Sequence, residues 1–541
     1  MAFDRRDFQG EPLEWLLDLE VGGEILRLAQ RPLDAPTGVG GALAAYAKGL
    51  AFSGEVPDAV DPFSDTPSGS SVDLTLHIQH SIPAAVEQGF DLSAARGKLW
   101  QWSPTTGAVL LVVSGVLRGV EYRLPEDPLT CSLEELEEDD SGRFPPADAR
   151  VTDGSWPNAA EKALSEYYPW ILGSPGRLSS WVTPGLLVDT VGDLLLVAAH
   201  PVEATTLSIV NDDDGTSATI AVTEVDDGLG RIVSVVDLTA SGVTIDPEAS
   251  YFARWGATGG GLQKGDGTVL TGAGDVIRWM LTFSRLRVDY GRLAASLPAL
   301  NAYRIDTAIS ARPDARFPPW DWLTDHLLPI LPVSVRSSPE GFYPVIWRFD
   351  ATADMAVAHL EVPEAGDSSP SASLRTTVSF SSRDRVANEI TLHYRHDPRL
   401  DSFAKRLVLT GDQLVAEADH EAFLNLYCLT SRSRYRDADG NPETWQKEES
   451  TEVVEDDGTA GTILAWWAQR YALQARLVGY TADLQTIGHL EAGDVVTITH
   501  PGLSWTKKVA LVEEVIRTGS SAWDLDLRLV EDPAQVRRGV G

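Results

Sequence analysis

The sequence predicts a mainly β protein with some α-helix, divided into several domains. Apolar and polar residues alternate through most of the chain, as they do on antiparallel strands that are buried on one face. Apolar residues at helical spacing occur only in a few short stretches between these strand-like runs. The length of 541 residues is too great for one hydrophobic core, so we expect three or four domains.

The N-terminal segment, residues 1–135, is predicted to be a small β-barrel or sandwich. Residues 72–80 read VDLTLHIQH, which places the aliphatic side chains on one face of a strand. Residues 13–30 read as two strands around a Gly-Gly pair, which is a good hairpin signal. The next segment, residues 136–179, is predicted to be a connector, because the stretch 134–150 is acidic and then proline-rich, which suits an exposed linker.

Three further segments are predicted after the connector. Residues 180–260 contain strand-like runs on either side of the turn NDDDG, and we expect an inserted β-sandwich-like domain there. Residues 261–370 are predicted to form a mixed helical and β domain. Residues 371–541 are predicted to form a second barrel-like domain with one helix, which falls on residues 462–475.

Three stretches of the mixed domain have helical character. The first covers residues 275–286, with Asp275 as the expected N-cap. The second covers residues 319–332, where Pro329 disfavours continuation of the helix. The third, residues 350–360, is short and alanine-rich. We therefore expect a few helices between the sheets.

Charge and cysteine content narrow the classes of function. The formal net charge is −35, from 79 acidic and 44 basic residues, which argues against a surface built to bind nucleic acid. A surface past which nucleic acid slides without binding remains compatible with this charge. The two cysteines, Cys131 and Cys428, exclude a disulfide scaffold. The N-terminus lacks the apolar run of a signal peptide, and no run approaches the length of a membrane span, so we expect synthesis in the cytoplasm.

The stretch GHLEAGDVVTITHPGL, residues 488–503, carries four side chains of metal-binding type. They are His489, Glu491, Asp494 and His500. If residues 494–500 form a strand, Asp494 and His500 lie about 20 Å apart at roughly 3.3 Å per residue, too far for one ion. A turn is expected at Gly493 and Asp494. We therefore interpret the stretch as a turn leading into a strand.

The other candidate sites also favour structural interpretations. Two histidine pairs are spaced by three residues on predicted strands, so each pair is expected to point to opposite faces. The pairs are His77 with His80 and His393 with His396. Two acidic clusters lack the spacing of a twelve-residue calcium loop, and we interpret both as hairpin turns. These clusters are Asp212, Asp213 and Asp214, and Asp437, Asp439 and Asn441.

The glycine-rich stretch around Lys264 lacks the GK[ST] sequence of a phosphate loop, and we interpret it as a loop. Carboxylate pairs for glycoside hydrolysis cannot be recognised from spacing, because the two groups come from different loops. The sequence therefore predicts no catalytic, cofactor-binding or metal-binding residue.

Several segments of the chain resemble the tail hub (baseplate hub) proteins of long-tailed bacteriophages, of the siphophage type. The resembling segments are RGVEYRLPEDPLTCSLEE (118–135), GAGDVIRWML (272–281), VDYGRLAASLPALNAYRIDTAI (288–309), PPWDWLTDHLLPILPVSVRSSPEGFYPVIWRFD (318–350) and a C-terminal run from ILAWWAQRY through KKVALVEEV (463–515). They recur as an ordered set, and the quoted segments together cover 136 of the 541 residues. Residues 140–260 have no place in the resemblance.

The resemblance implies a homotrimeric ring of two barrel-like hub domains with smaller inserted domains. Such a ring sits between the ring of the distal tail protein and the tail-tip or central fibre proteins, around the end of the tape measure protein. It opens after receptor binding, so that the tape measure protein and then DNA pass through its channel. The implied protein is a virion structural component at the tail tip, assembled in the host cytoplasm and contacting the host envelope. It has no cofactor, no stable nucleic-acid binding and no enzymatic activity.

Two alternative functions stay open. One is a tail-associated hydrolase of cell wall or polysaccharide, although no recognisable cell-wall hydrolase motif occurs in the sequence. The other is a receptor- or carbohydrate-binding tail protein, with the β unit at 180–255 as its binding module.

Overall fold

The computed structural model confirms the predicted fold class, with 45% of residues in strands and 16% in helices. None of the described helices is long and apolar enough to cross a membrane. The structure describes residues 13–51, 55–59, 71–77, 92, 95–121, 129–135, 141–178, 181–239, 241–255, 260–265, 267–310, 316–336, 340–362, 375–411, 420–483, 487–518 and 522–530.

The described part of the N-terminal region consists of strands. They are β1 (Glu14–Val21), β2 (Glu24–Ala29), β3 (Leu33–Pro36), β4 (Leu43–Lys48), β5 (Leu50–Ala51), β6 (Glu55–Ala59), β7 (Ser71–Leu76), β8 (Arg96–Trp102), β9 (Val109–Glu121) and β10 (Leu129–Glu135). All except β6 form one sheet, in the order β3-β4-β2-β1-β8-β9-β10-β7-β5. The predicted hairpin is confirmed, since β1 pairs antiparallel with β2 and Gly22 and Gly23 have the positive φ angles, 62° and 85°, that a two-residue turn requires.

The next region contains a closed barrel. Its strands follow β11 (Trp170–Leu172) and are β12 (Thr183–Asp189), β13 (Leu194–Ala198), β14 (Thr206–Asn211), β15 (Ser217–Asp226), β16 (Ile232–Asp237) and β17 (Tyr251–Trp255). They close in the order β12-β13-β16-β15-β14-β17. In place of the expected sandwich-like arrangement, β17 pairs on both sides, with Ala253 opposite Thr183 of β12 and Ile209 of β14. This double pairing removes the free edges that separate sheets would have.

Helices follow the barrel. The elements are α1 (Ala273–Met280), α2 (Tyr290–Leu300), β18 (Thr307–Ile309), α3 (Pro319–Trp322), β19 (Val333–Arg336) and β20 (Tyr343–Ile346). After Trp322 the helix widens into a π turn over Leu323–Leu327 and then tightens into a 3₁₀ turn over Leu328–Ile330. Strand β18 pairs with β11, which ties this region to the barrel.

Two details of the helical prediction are wrong. Helix α1 begins after Gly272, three residues before the expected N-cap, and Asp275 lies in its first turn. The stretch 350–360 forms a single 3₁₀ turn, Ala353–Met355, in place of the expected helix. Its last three residues belong to a strand, Ala358–Glu361, because these residues pair in parallel with residues 496–499 far along the chain.

The C-terminal region forms two sheets. Its elements are β21 (Ala358–Glu361), β22 (Arg375–Phe380), β23 (Glu389–Asp397), β24 (Ser402–Thr410), β25 (His420–Leu424), α4 (Leu426–Arg434), β26 (Gln446–Ser450), α5 (Asp457–Tyr471), β27 (Arg476–Asp483), β28 (Val495–His500), β29 (Trp505–Thr518) and β30 (Ala522–Leu529). One sheet has the order β21-β28-β29-β30-β27-β22, and β6 pairs with β29; the other has the order β25-β24-β23-β26. The sequence indicates α5 but not α4, whose buried residues, Cys428, Thr430 and Ser431, give little apolar signal.

Two hydrophobic cores hold these parts together. The first is shared by the N-terminal sheet and the larger C-terminal sheet, with Leu17 and Leu74 in the same cluster as Tyr480. The second runs from the barrel, represented by Leu195, through the helices to Trp467 of α5. The N-terminal sheet and the larger C-terminal sheet therefore pack together.

The exposure expected of the linker is not found at Phe144 and Ala149, which are fully buried in the second core because they pack against the barrel and the helices. The predicted segment boundaries stay predictions.

Candidate functional site

The stretch 488–503 forms a turn leading into a strand, as predicted. The backbone N–H of Glu491 donates to Asp494 Oδ2 at 2.9 Å, and Gly493 has a φ of 92° before β28 begins. Within the part of the chain that the structure describes, no three His, Cys, Asp or Glu side chains are placed to hold a metal ion.

Glu491 nevertheless has a specific role, because it binds two arginines. Arg292 Nη1 donates to Glu491 Oε2 at 3.0 Å and to Tyr343 Oη at 2.6 Å. Arg336 Nη1 lies 3.4 Å and 2.7 Å from the same two acceptors. Only 8% of the Glu491 side chain is exposed, so the arginines offset the cost of burying its charge. This cluster joins α2 and the β19–β20 hairpin to the turn before β28.

The expectation that His393 and His396 point to opposite faces is wrong. Arg395, between them, has a left-handed φ of 60°, which interrupts the alternation of side chains along β23. Both imidazole rings lie near the Phe403 ring, at centroid distances of 6.3 Å and 5.0 Å. His393 Nε2 lies 2.6 Å from Glu448 Oε1. Strand β23 thus brings both histidines to one side.

The acidic clusters are turns, as predicted. Asp437 Oδ1 accepts hydrogen bonds from the backbone N–H groups of Asp439 and Asn441, at 2.9 Å and 2.8 Å. Asp214 Oδ1 accepts one from the backbone of Thr216 at 2.9 Å. Such bonds stabilise the turn conformation itself.

The remaining candidates give no site. Lys264 Nζ lies 3.1 Å from Asp275 Oδ2 in the first turn of α1, so its charge is paired within the protein. His80 and residues 136–140 lie outside the described residues. The expectation that His77 and His80 point to opposite faces therefore stays a prediction.

A groove lies between α3 and the smaller C-terminal sheet. One cleft, of about 490 Å³, is bounded by the barrel, α3 and β18. A second cleft, of about 350 Å³, extends along β26 and α5. The two share Asp325, His326 and Glu452, so we treat them as one feature, the α3–β26 groove. It is defined by Phe252, Trp322, Asp325, His326, His396, Lys447, Glu449, Glu452, Trp467 and Tyr471.

Two backbone irregularities place side chains in the α3–β26 groove. Asp325 and His326 stand on the π turn that follows α3, and the rings of His326 and Trp322 lie 5.6 Å apart. Pro329 cannot donate a helical hydrogen bond, which favours the end of the regular helix here. On the opposite wall, His396 follows the left-handed Arg395. Single π turns and strained residues occur often at functional sites.

The rim of the groove is acidic. Asp325 and Glu452 are exposed, and neither forms an ion pair or side-chain hydrogen bond with any residue that the structure describes. Lys447 Nζ is already occupied: it lies 2.6 Å from Glu449 Oε1 and 5.4 Å from the centre of the Trp467 ring. The groove is therefore suited to a ligand that carries positive charge.

The segment that carries Glu452 continues into a buried polar cluster. Glu455 is 2% exposed; its Oε1 accepts from the backbone N–H of Gly176, and its Oε2 is buried without a hydrogen-bond partner among the described residues. Burial raises the pKa of Glu455 to about 8, and the carboxylate of Asp306 contributes to the increase. Glu455 is therefore mostly protonated at neutral pH.

Arginines hold the other carboxylates of this cluster. Asp306 is fully buried and accepts from Arg304 Nε and Nη2 at 2.8 Å and 2.9 Å. Asp456 caps helix α5 by accepting from the backbone of Thr459 at 2.9 Å, and its Oδ1 accepts from Arg177 Nη2 at 3.0 Å. The cluster thus joins the loop after β11, the start of β18 and the N-terminus of α5.

Comparisons with known proteins give distant likenesses. No protein-family model and no curated protein matches the sequence. Among solved structures, the chain is similar to the tail protein from Neisseria meningitidis MC58, with 11% identity over 96% of this chain and 98% of that one and a TM-score of 0.38. It is also similar to the 43 kDa tail protein of prophage MuSo2 from Shewanella oneidensis, with 9% identity over 96% and 99% and a TM-score of 0.32.

A third similar chain belongs to the baseplate of phage P2 in its activated conformation, with 9% identity over 96% of this chain and 100% of that one and a TM-score of 0.21. These neighbours are tail and baseplate proteins. With TM-scores below 0.5, the likeness is loose, and we derive neither fold nor function from it.

Proposed function

We propose that the chain is a structural tail hub protein of a bacteriophage tail tip. It forms a homotrimeric ring around a channel through which the tape measure protein and DNA leave, and it contacts the distal tail protein ring and the tail-tip or central fibre proteins. The observation that carries the proposal is that the segments resembling tail hub proteins, far apart in sequence, lie together in the fold.

Direct contacts connect four of these segments. Glu491 of segment 463–515 binds Arg292 of segment 288–309 and Arg336 of segment 318–350. Gly272 of segment 272–281 forms an isolated β-bridge with Arg304. The four segments that resemble tail hub proteins are separate in sequence but form one connected body in the fold. A scaffold shared with those proteins requires such contacts.

The fifth segment, residues 118–135, belongs to the same body through the first hydrophobic core. Its strand β10 contributes Leu129 and Leu133 to the cluster that also contains Val478 and Val496 of the C-terminal sheet. The barrel formed by β12 to β17 lies in the part of the chain that the resemblance leaves out. This arrangement supports a frame built from the resembling segments, with an inserted domain, which is the organisation that the resemblance implies.

The acidity of the chain is consistent with a channel for DNA. At a net charge of −35, a lumen lined by carboxylates repels the phosphate backbone. Repulsion prevents DNA from adhering to the channel wall while it passes. A DNA conduit needs this property, whereas a DNA-binding protein does not.

Exposed apolar side chains at two sheet edges support subunit contacts. Strand β22 ends the larger C-terminal sheet, and its Val378 and Phe380 are 40% and 55% exposed. Strand β25 ends the smaller sheet, and its Phe423 and Leu424 are 49% and 56% exposed. Clusters of exposed apolar residues at sheet edges are typical of association surfaces.

Electron microscopy of the purified protein tests the proposal. We expect ring-shaped particles with threefold symmetry and a central channel, and class averages without a channel would contradict it.

A second candidate, a cell-wall or polysaccharide hydrolase, is favoured by one observation: Asp325 and Glu452 line a groove as carboxylates that pair with no side chain in the described part of the chain. A zymogram on bacterial cell walls separates the two functions. A clearing band that disappears in the variant Glu452→Gln would establish the hydrolase, whereas the hub predicts no band.

A further inference from the structure

We infer that the α3–β26 groove is a docking site for an extended, Lys- or Arg-bearing segment of a partner protein, which adds to β26 as a further strand. This interaction surface goes beyond the proposed hub function and does not depend on it. Three features of the groove carry the inference: an open strand edge, space beside that edge, and uncompensated negative charge.

The open edge belongs to β26. This strand pairs in parallel with β23, from Gln446 opposite Glu389 to Ser450 opposite His393. Among the described residues, no strand pairs with its other side. In a parallel ladder, the backbone groups of a strand point alternately to its two sides, so a row of N–H and C=O groups of β26 points away from β23. An extended peptide can complete such a row.

The space beside this edge is part of the groove. In this register the backbone groups of Ser450 point away from β23, and Ser450 lines the 350 Å³ cleft together with Pro329 and Ile330. The cleft therefore reaches the open edge of β26 at Ser450. From Glu452 it continues into the 490 Å³ cleft next to the barrel, which provides room for residues on either side of the paired segment.

Charge selects the kind of partner. Asp325 stands on the π turn after α3 and Glu452 follows β26; both are exposed, and neither forms an ion pair with any residue that the structure describes. Glu449 adds a third exposed carboxylate, shared with Lys447. A basic segment compensates these charges. At this groove a second copy of this chain would present the same acidic edge, so it does not compensate these charges.

Charged residues on an edge strand also protect proteins against unwanted pairing. The experiment must therefore separate a docking site from an edge that only resists association. It must also separate site-specific binding from general attraction of a basic peptide to an acidic protein.

We would measure the binding of a fluorescein-labelled peptide of alternating Lys and Val to the full chain by fluorescence anisotropy. A Lys-Pro peptide of the same length and charge is the matched control, because proline cannot donate the ladder hydrogen bonds. We expect saturable binding of the Lys-Val peptide and at least about tenfold weaker binding of the Lys-Pro peptide.

Two double variants test whether the peptide binds at the α3–β26 groove. The double variant Asp325→Asn/Glu452→Gln is expected to weaken Lys-Val binding by about three- to tenfold, because two charge contacts are lost. The control double variant Glu20→Gln/Glu224→Gln removes two exposed carboxylates from β1 and β15 and is expected to leave binding unchanged. Absence of saturable binding, equal binding of both peptides, or equal losses in the two double variants would each overturn the inference.

Discussion

Arg292 and Glu491 lie 199 residues apart in the chain and form an ion pair with 3.0 Å between Nη1 and Oε2. Arg292 stands on α2, whereas Glu491 stands in the turn before β28. The pair therefore fastens the helical region to the larger C-terminal sheet. It also links two of the segments that resemble tail hub proteins, so its strength bears on the integrity of the proposed frame.

The variant Glu491→Ala is expected to lower the free energy of unfolding by about 3 kcal/mol, because it leaves two arginines without their buried counter-charge. This loss lies at the lower end of the range that is usual for a broken buried ion pair, because the Arg292 side chain is 33% exposed. Urea denaturation followed by tryptophan fluorescence measures the change. The exposed Glu224→Ala is the control, with an expected effect within about 0.5 kcal/mol; equal effects of the two variants would refute the role of the pair.

The buried carboxyl of Glu455 predicts a loss of stability in mild alkali. Its pKa is about 8 in the folded protein and 4.5 for an ordinary glutamate, so between these values the folded state keeps a proton that the unfolded state has released. The stabilising contribution is fully present below pH 4.5, declines as the pH rises from there and is lost once the pH has passed through about 8, on the order of 1.4 kcal/mol for each pKa unit.

The variant Glu455→Gln keeps an acceptor for Gly176 N–H but cannot ionise. We therefore expect the wild type to lose more stability than this variant when urea denaturation is compared at about pH 6 and about pH 9. Parallel losses in the two proteins would show that another group controls the pH dependence.

Gly493 is predicted to be intolerant of any side chain. It has a φ of 92°, and a Cβ there would lie 2.2 Å from Val345 Cγ1. Gly440 has a similar φ of 84°, but nothing lies within 4 Å of its Cβ position. We expect Gly440→Ala to cost about 1 kcal/mol for backbone strain alone, and Gly493→Ala to cost about 1–3 kcal/mol more. Urea denaturation compares the free energies of unfolding of the two variants. Equal losses would mean that the Val345 side chain moves away from the new Cβ without a cost in stability.

The exposed edge residues are predicted to hold the subunits together. The double variant Phe380→Ser/Phe423→Ser is expected to shift the assembly towards monomer without unfolding it, since both side chains are about half exposed in the single chain. Val191→Ser is the matched control, because Val191 is 79% exposed in the turn between β12 and β13. Analytical ultracentrifugation reports the assembly and circular dichroism the fold; an unchanged assembly in the double variant would place the contacts elsewhere.

Local patterns predicted those parts of the fold that neighbouring residues determine. The hairpin at Gly22 and Gly23 and the strand from Val495 follow from turn residues beside alternating apolar ones. Closure of the barrel could not be predicted in this way, because it requires Ala253 to pair with Thr183 from another part of the chain. The same limit explains the strand that begins at Ala358, where a distant parallel partner overrides an alanine-rich helical pattern.

The candidate sites also divide into features that neighbouring residues determine and features that depend on distant residues. Metal binding at residues 488–503 was disfavoured by strand geometry alone, yet the ion pairs of Glu491 require arginines from two other elements. The left-handed Arg395 could not be foreseen, because its guanidinium is held by the carbonyl of Glu455, 2.9 Å from Nε. Asp325 and Glu452 carried no signal that separated them from the other acidic residues. The one local hint was Pro329, which marks the end of the helix near His326.

The mass of the purified protein, measured by light scattering after size exclusion over a range of concentrations, tests the central claim most directly. The hub ring predicts a stable species of three chains of 58.5 kDa, about 175 kDa. A species of 58.5 kDa at every concentration, up to the solubility limit, would contradict a ring formed by this chain.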